Sequence, residues 1–164
     1  MKLKGKEKEV WWSLRRIKDS KDIPEEMSGF TSIDDEEDDE FFAILTNNVK
    51  RMGSLYLKQT RITDLAVEYI SKLQGLKELT ITRQPEITAA SLPYINNLIQ
   101  LEYLDVSMTS IQLSDVHMLK NLVDLKELWT SSELSGSDEI LEQVIALEQI
   151  LPRCKIFVNF NPYN

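Results

Sequence analysis

A short α/β solenoid, with a parallel β-sheet on one face and helices on the other, is what this sequence predicts. Three observations carry that expectation. Four segments of one pattern recur at a nearly constant interval, the hydrophobic period changes within each unit from two residues to about 3.6, and the stretches at either end depart from the pattern as caps do.

The interval comes first. Met52-Gly-Ser-Leu55-Tyr-Leu57-Lys-Gln-Thr60-Arg-Ile62, Leu76-Lys-Glu-Leu79-Thr-Ile81, Leu101-Glu-Tyr-Leu104-Asp-Val106-Ser-Met-Thr109-Ser-Ile111 and Leu125-Lys-Glu-Leu128-Trp-Thr130 start 24, 25 and 24 residues apart. Alternating apolar positions such as Leu55/Leu57 and Leu104/Val106 make a strand with one face inward. Each strand is followed by a turn and a helical stretch, with Leu65, Tyr69, Ile70 and Leu73 in the first unit and Val116, Leu119 and Leu122 in the third. Strand, turn and helix repeated in this order stack side by side, and each unit buries its apolar face against its neighbours.

With these motifs the chain resembles the leucine-rich-repeat superfamily over about two-thirds of its length. It is similar to the bacterial variants in which Thr replaces the inner-turn Asn. The resemblance implies that Thr60 and Thr109 occupy that position, their hydroxyls bonding turn backbone groups. Leu151-Pro-Arg-Cys154-Lys-Ile156 looks like the end of such an array, a helix from about 138 to 151 running into a last strand. Two departures are expected to show in the structure. The second unit is one residue longer before its turn Ile87, which predicts a bulge, and the fourth has Thr130 where an apolar residue belongs.

The division expected is an N-terminal helical cap over residues 1–48 and the repeat array, with its C-terminal capping helix and last strand, over 49–164. Val10, Trp11, Leu14 and Ile17 fit one face of a first cap helix, and Phe41, Phe42, Ile44 and Leu45 fit a second. Between them run seven consecutive carboxylates, Asp34 to Glu40. Three readings stay open for that run. It is a helix start capped by Thr31 or Ser32, an acidic patch for a basic partner, or, least well matched, a calcium loop lacking the expected glycine.

Charge is uneven. The chain carries −8, yet residues 1–18 hold seven basic residues against Glu7 and Glu9, a local +5, so the rest carries −13. An acidic body repels phosphate backbones and steers basic proteins inward, which argues against nucleic acid and for a basic protein partner. No stretch reaches the roughly 20 apolar residues of a membrane helix, and the first residues lack a signal-peptide core, so a cytoplasmic location is expected. The single Cys154 fits a reducing compartment.

Catalytic chemistry has little to stand on. His117 is the only histidine and falls on an outer helical face, Cys154 has no second histidine as its base, and no phosphate loop or HExxH motif is present. The expectation is a non-enzymatic protein with no cofactor and no metal.

What remains is the open face of the sheet. Alternation sends Tyr56, Thr80, Asp105, Trp129 and Phe157 outward in a central row. Ser54, Glu78, Tyr103, Glu127 and Lys155 flank it on one side, and Lys58, Thr82, Ser107, Ser131 and Asn159 on the other. Four aromatics and three carboxylates on one surface predict a protein-binding face, in which Tyr56, Lys58, Glu78, Thr80, Tyr103, Asp105, Glu127, Trp129 and Phe157 are the candidate contacts. An immunity-type inhibitor of a basic toxin or hydrolase is one concrete form. The alternatives are a structural protein whose copies pair into a homodimer through this face, and a face covered internally by the N-terminal arm or the tail residues Phe160, Pro162 and Tyr163.

Overall fold

The computed structural model describes residues 1–163. Seven strands form a single sheet in chain order: β1 (Glu26–Ile33), β2 (Arg51–Lys58), β3 (Glu78–Thr82), β4 (Tyr103–Asp105), β5 (Glu127–Thr130), β6 (Lys155–Val158) and β7 (Asn161–Pro162). The first six run parallel and β7 turns back antiparallel on β6. The chain is thus a short α/β solenoid with a parallel sheet along one face, the architecture that the leucine-rich-repeat resemblance implies, and the four expected segments supply its strands β2 to β5.

Two inward rows build the core. Phe30, Leu55, Leu79, Leu104, Leu128 and Ile156 pair side by side across the six parallel strands. All but the half-buried Phe30 are sealed from solvent. The second row holds Leu57, Ile81, Val106 and Val158, with the hydroxyl residues Ser32 and Thr130 near its two ends, both buried. Burial of each large aliphatic side chain stabilises the stack by about 2 kcal/mol.

The opposite layer begins with helices and thins along the chain. Helix α1 (Gly5–Arg15) buries Val10 and Trp11 and ends where Arg16 takes a left-handed φ of 56°, so Ile17 packs in the core from beyond the helix. Helix α2 (Asp39–Asn48) buries Phe41, Phe42 and Leu45, its start capped by the Asp38 carboxylate 2.9 Å from Phe41 N. Helix α3 (Asp64–Ile70) is capped by Thr63. The second unit narrows to a 3-10 turn (Ala89–Ser91) with a single α-turn, α4 (Leu92–Ile95), and the third to a 3-10 turn (Val116–Met118). Helix α5 (Ser137–Glu148) closes the layer, near the expected bounds.

The first 48 residues are not a purely helical cap. Strand β1 lies between α1 and α2 and pairs with β2 in register, Met27 beside Met52 and Phe30 beside Leu55, so β1 and α2 are a further repeat and the sheet crosses the expected boundary at 48/49. Thr31 and Ser32 belong to this strand and cap no helix. The two strands approach so closely that a Cβ on Gly53 would lie 2.8 Å from the Ser28 carbonyl oxygen.

Each of the first four parallel strands leaves the sheet through a non-glycine residue with positive φ: Asp34, Gln59, Arg83 and Met108, all at 55–56°. Here the extra residue of the second unit is absorbed. β3 itself is regular, and Gln84 to Ile87 form a turn closed by Ile87 N donating to Gln84 O at 3.1 Å, so the insertion is a longer turn and no strand bulge. Thr109 behaves as the family resemblance implies, its hydroxyl donating to Val106 O at 2.7 Å and accepting from Ile111 N. Thr60 differs: its hydroxyl lies 2.7 Å from the buried Gln84 side-chain amide, a partner supplied by the next unit.

Candidate functional site

The strand register places the outward residues in two straight rows. Ser54, Glu78, Tyr103, Glu127 and Lys155 are lateral neighbours in one, and Tyr56, Thr80, Asp105, Trp129 and Phe157 in the other. Adjacent parallel strands stand about 4.8 Å apart, so each row is a comb of side chains at that spacing.

The third row is closed at its middle. Thr82 and Ser107 are buried, and the Thr82 hydroxyl donates to Ser107 O at 2.8 Å. Here the strands are already curling into the left-handed turns, which rotates these positions inward. Toward the two ends of this row Lys58 and Ser131 stay half-exposed and Asn159 is exposed. Thr80 is a second correction: it sits in the outward row but only 6% of it is exposed. Its short side chain lies at the bottom, overtopped by its larger neighbours.

Two clusters result on one face. Toward the N-terminal side a depression of about 550 Å³ is lined by Tyr56, Glu78, Thr80 and Tyr103 together with Thr31 and Ile33 of β1. Burial pushes the Tyr103 phenol up to about 12, helped by the negative charge of Asp105 and Glu127 and by Tyr56 and Glu78. Burial also raises the Asp105 carboxyl, a tendency opposed by Ser107 N, which donates to it at 2.8 Å. Toward the C-terminal side Trp129 and Phe157 stack face to face, centroids 4.0 Å apart and planes 3° from parallel. The Trp129 indole N–H donates to Glu127 Oε1 at 2.6 Å, which fixes the ring over the sheet. Stacked rings of this kind hold a large apolar surface in one orientation.

Thr31 and Ile33 join the site without having been assigned to it from the sequence, and Phe160, expected only as part of a covering tail, borders it. The first two follow once β1 is recognised, since Thr31 pairs with Tyr56 and Ile33 with Lys58, and Ile33 is 49% exposed. Phe160 packs 6.4 Å from Trp129 and remains 60% exposed.

Among the described residues neither the N-terminal arm nor the tail covers the face. The N-terminal arm closes on itself, Lys2 bridging Asp19, and is tied to α2 through Lys6 and Asp38 at 3.7 Å. The tail adds β7 to the edge of β6, with Tyr163 N donating to Ile156 O. At the end of the Trp129 row Phe160 lies beside Trp129 and Pro162 beside Phe157.

The acidic run resolves into local tasks. Asp34 occupies the left-handed turn, Glu36 pairs with Arg61 at 2.9 Å, and Glu37 accepts from the Ser32 hydroxyl. Asp38 caps α2, and Asp39 reaches the next unit, where it accepts from Thr63 N at 2.8 Å, from the Thr63 hydroxyl and from Ala66 N. This is the helix-start reading, extended to bind two repeats together. Asp64 repeats the device one unit on, accepting from Thr88 N, the Thr88 hydroxyl and the Ser91 hydroxyl.

Groups with catalytic potential are placed otherwise. His117 Nδ1 lies 2.7 Å from Ser114 O on an exposed turn. Cys154 is buried, which together with Glu127 pushes its thiol up to about 12. Among the described residues no three His, Cys, Asp or Glu side chains converge as a metal site, and no helix is long and apolar enough to cross a membrane.

No protein-family model matches the chain, and the curated proteins yield no match. Among solved structures the chain is similar to two internalins of Listeria monocytogenes. The crystal structure of internalin C2 is 17% identical, with 79% of this chain and 70% of that one covered at a TM-score of 0.33. That of an internalin, inlF, is 15% identical, with 94% of this chain covered at a TM-score of 0.41, and the chain spans 54% of its length.

Proposed function

We propose that this protein is a binding module that holds a basic protein partner on the outward face of its sheet, and that it has no catalytic role of its own. One observation carries the reading: Tyr56, Tyr103, Trp129 and Phe157 share a face with Glu78, Asp105 and Glu127, on the side opposite the helices and the core. Aromatic anchors amid charge are the composition of protein-binding hot spots, and complementary charge sets orientation and encounter rate. The body beyond the basic arm carries −13, which selects a partner of opposite sign. Neutralising a basic toxin or hydrolase, in the manner of an immunity protein, is one task this face would serve.

The test is a capture experiment from native lysate with the whole protein as bait beside a Tyr56→Ala/Trp129→Ala variant, followed by reconstitution with the purified candidate. The reading expects a basic protein held by the natural sequence, lost by the variant, and released progressively as salt rises. Equal retention by bait and variant, or a salt-insensitive complex, refutes it. A concentration-dependent dimer seen by light scattering and lost with Trp129→Ala would assign the face to self-association instead.

A further inference from the structure

The N-terminal cluster of the sheet face is more than a patch of like charge. Its floor is Thr80, 94% of which is buried, and among the described residues its hydroxyl has no hydrogen-bond partner although it opens into the depression. Its wall includes Glu78, an exposed carboxylate that among the described residues makes no ion pair. Two phenol rings, Tyr56 and Tyr103, stand on either side, and Asp105 is the lateral neighbour of Thr80 on the next strand. None of the lining residues is basic.

These groups ask for a cation that donates several hydrogen bonds and has flat faces. The Thr80 hydroxyl faces the depression with hydrogen-bonding capacity that no neighbouring side chain among the described residues takes up, so a donor entering the depression can meet it. Phenol faces attract cations, and the carboxylates repel anions. From β2 to β4 the opening spans about 10 Å, two strand spacings, room for one long side chain and too little for a helix. Of the two basic side chains, arginine has the planar fork of donors and the weaker hydration, so it sheds water and stacks more readily than lysine. The Tyr103 phenol is raised first by burial and then by the negative charge of Asp105, Glu127 and Glu78, so the wall of the depression is both partly desolvated and negative.

Resting on the face-binding reading above, we propose that the depression over Thr80 seats a single arginine side chain of the partner, its guanidinium between the Tyr56 and Tyr103 rings and hydrogen-bonded to the Glu78 carboxylate and the Thr80 hydroxyl. The Trp129–Phe157 stack then packs against apolar surface farther along the same partner.

The probe is a short end-capped peptide with one central arginine, beside the same peptide with citrulline, which keeps the shape and loses the charge. Each is titrated into the full chain labelled on its tyrosine rings, and binding is read by NMR. The arginine peptide is expected to move the Tyr56 and Tyr103 signals while Tyr69 and Tyr94 stay in place, and citrulline to weaken binding about tenfold or more. Thr80→Val and Glu78→Gln, which keep size and strand preference, should each weaken the arginine peptide several-fold at an unchanged melting temperature. Equal affinity for citrulline, no movement of the Tyr56 and Tyr103 signals, or full affinity in both variants overturns the assignment. The peptide experiment contains no partner, so its failure removes the arginine seat alone, whereas a failed capture experiment removes the partner-binding reading itself.

Discussion

Asp64 offers the sharpest test of how the units are held together. It sits at the start of α3 and its carboxylate accepts from Thr88 N at 2.8 Å, from the Thr88 hydroxyl at 2.6 Å and from the Ser91 hydroxyl, all in the following unit. Asp64→Ala removes three charge-assisted bonds at once. Thr88 can be rehydrated in part, but Ser91 is fully buried and its hydroxyl would be left without an acceptor. An orphaned buried hydroxyl costs about 1–3 kcal/mol, and the two bonds at Thr88 together contribute about 2 kcal/mol net, so the loss is about 4 kcal/mol. For a domain of this size that lowers the melting temperature by about 8–16 °C. Asp64→Asn, which keeps an oxygen acceptor and loses the charge, should fall between, and Glu68→Ala on the same helix is the control. Thermal melts by circular dichroism, with reversibility checked, measure all three. An Asp64→Ala protein that melts within about 2 °C of the Glu68→Ala control would show that this carboxylate does not couple the units, and the argument would fail.

Two further outcomes follow from the geometry. Because the Tyr103 phenol is pushed up to about 12 from the ordinary 10.0, ultraviolet titration of tyrosinate should show one late step that Tyr103→Phe abolishes. A folded-state value above the unfolded one means that this stabilising contribution is present below pH 10 and is lost as pH rises through about 12, so denaturant midpoints of the natural protein should decline more steeply than those of Tyr103→Phe across that window. Gly53→Ala should destabilise by about 1–3 kcal/mol in chemical denaturation, since the new methyl would meet the Ser28 carbonyl oxygen at 2.8 Å, a backbone atom of a paired strand with little room to shift; an unchanged midpoint would mean that β1 and β2 separate easily.

The middle of the array was readable because its chemistry is redundant. Leu55, Leu79, Leu104 and Leu128 each stand three residues after a Met or Leu, and alternation alone then predicts both outward rows that the register confirms. Strand β1 escaped because it breaks the code where it matters. Ser32 stands in a core-facing position and satisfies its hydroxyl with Glu37, so the segment reads as polar, and the carboxylates that follow it resemble a linker. The 25-residue step from Met27 to Met52 was the available signal. The burial of Thr80 and Thr82 could not be read from period two, because it depends on the height of neighbouring side chains and on where each strand begins to curl. Nor does periodicity separate a helix from a 3-10 turn over three or four residues, which is why the helical layer thins without warning in the sequence.

The direction of the hydrogen bonds between units has a bearing on how this surface would meet a partner. At the strand entrances the N–H groups point backward, Lys77 to Gly53, Glu102 to Lys77, Lys126 to Glu102 and Lys155 to Lys126, each at 2.8–2.9 Å. At the exits of β1 to β3 they point forward, Asp34 to Lys58, Gln59 to Thr82 and Gln84 to Met108, whereas at the exit of β6 Asn159 points back to Thr130. Every inner unit is stitched to both neighbours at opposite ends of its strand, so none can tilt or slide alone. Tyr56, Tyr103 and Trp129 therefore ride on a template that cannot be re-aimed one repeat at a time. Little backbone entropy is left to lose on association, and the burden of adapting falls on whatever docks.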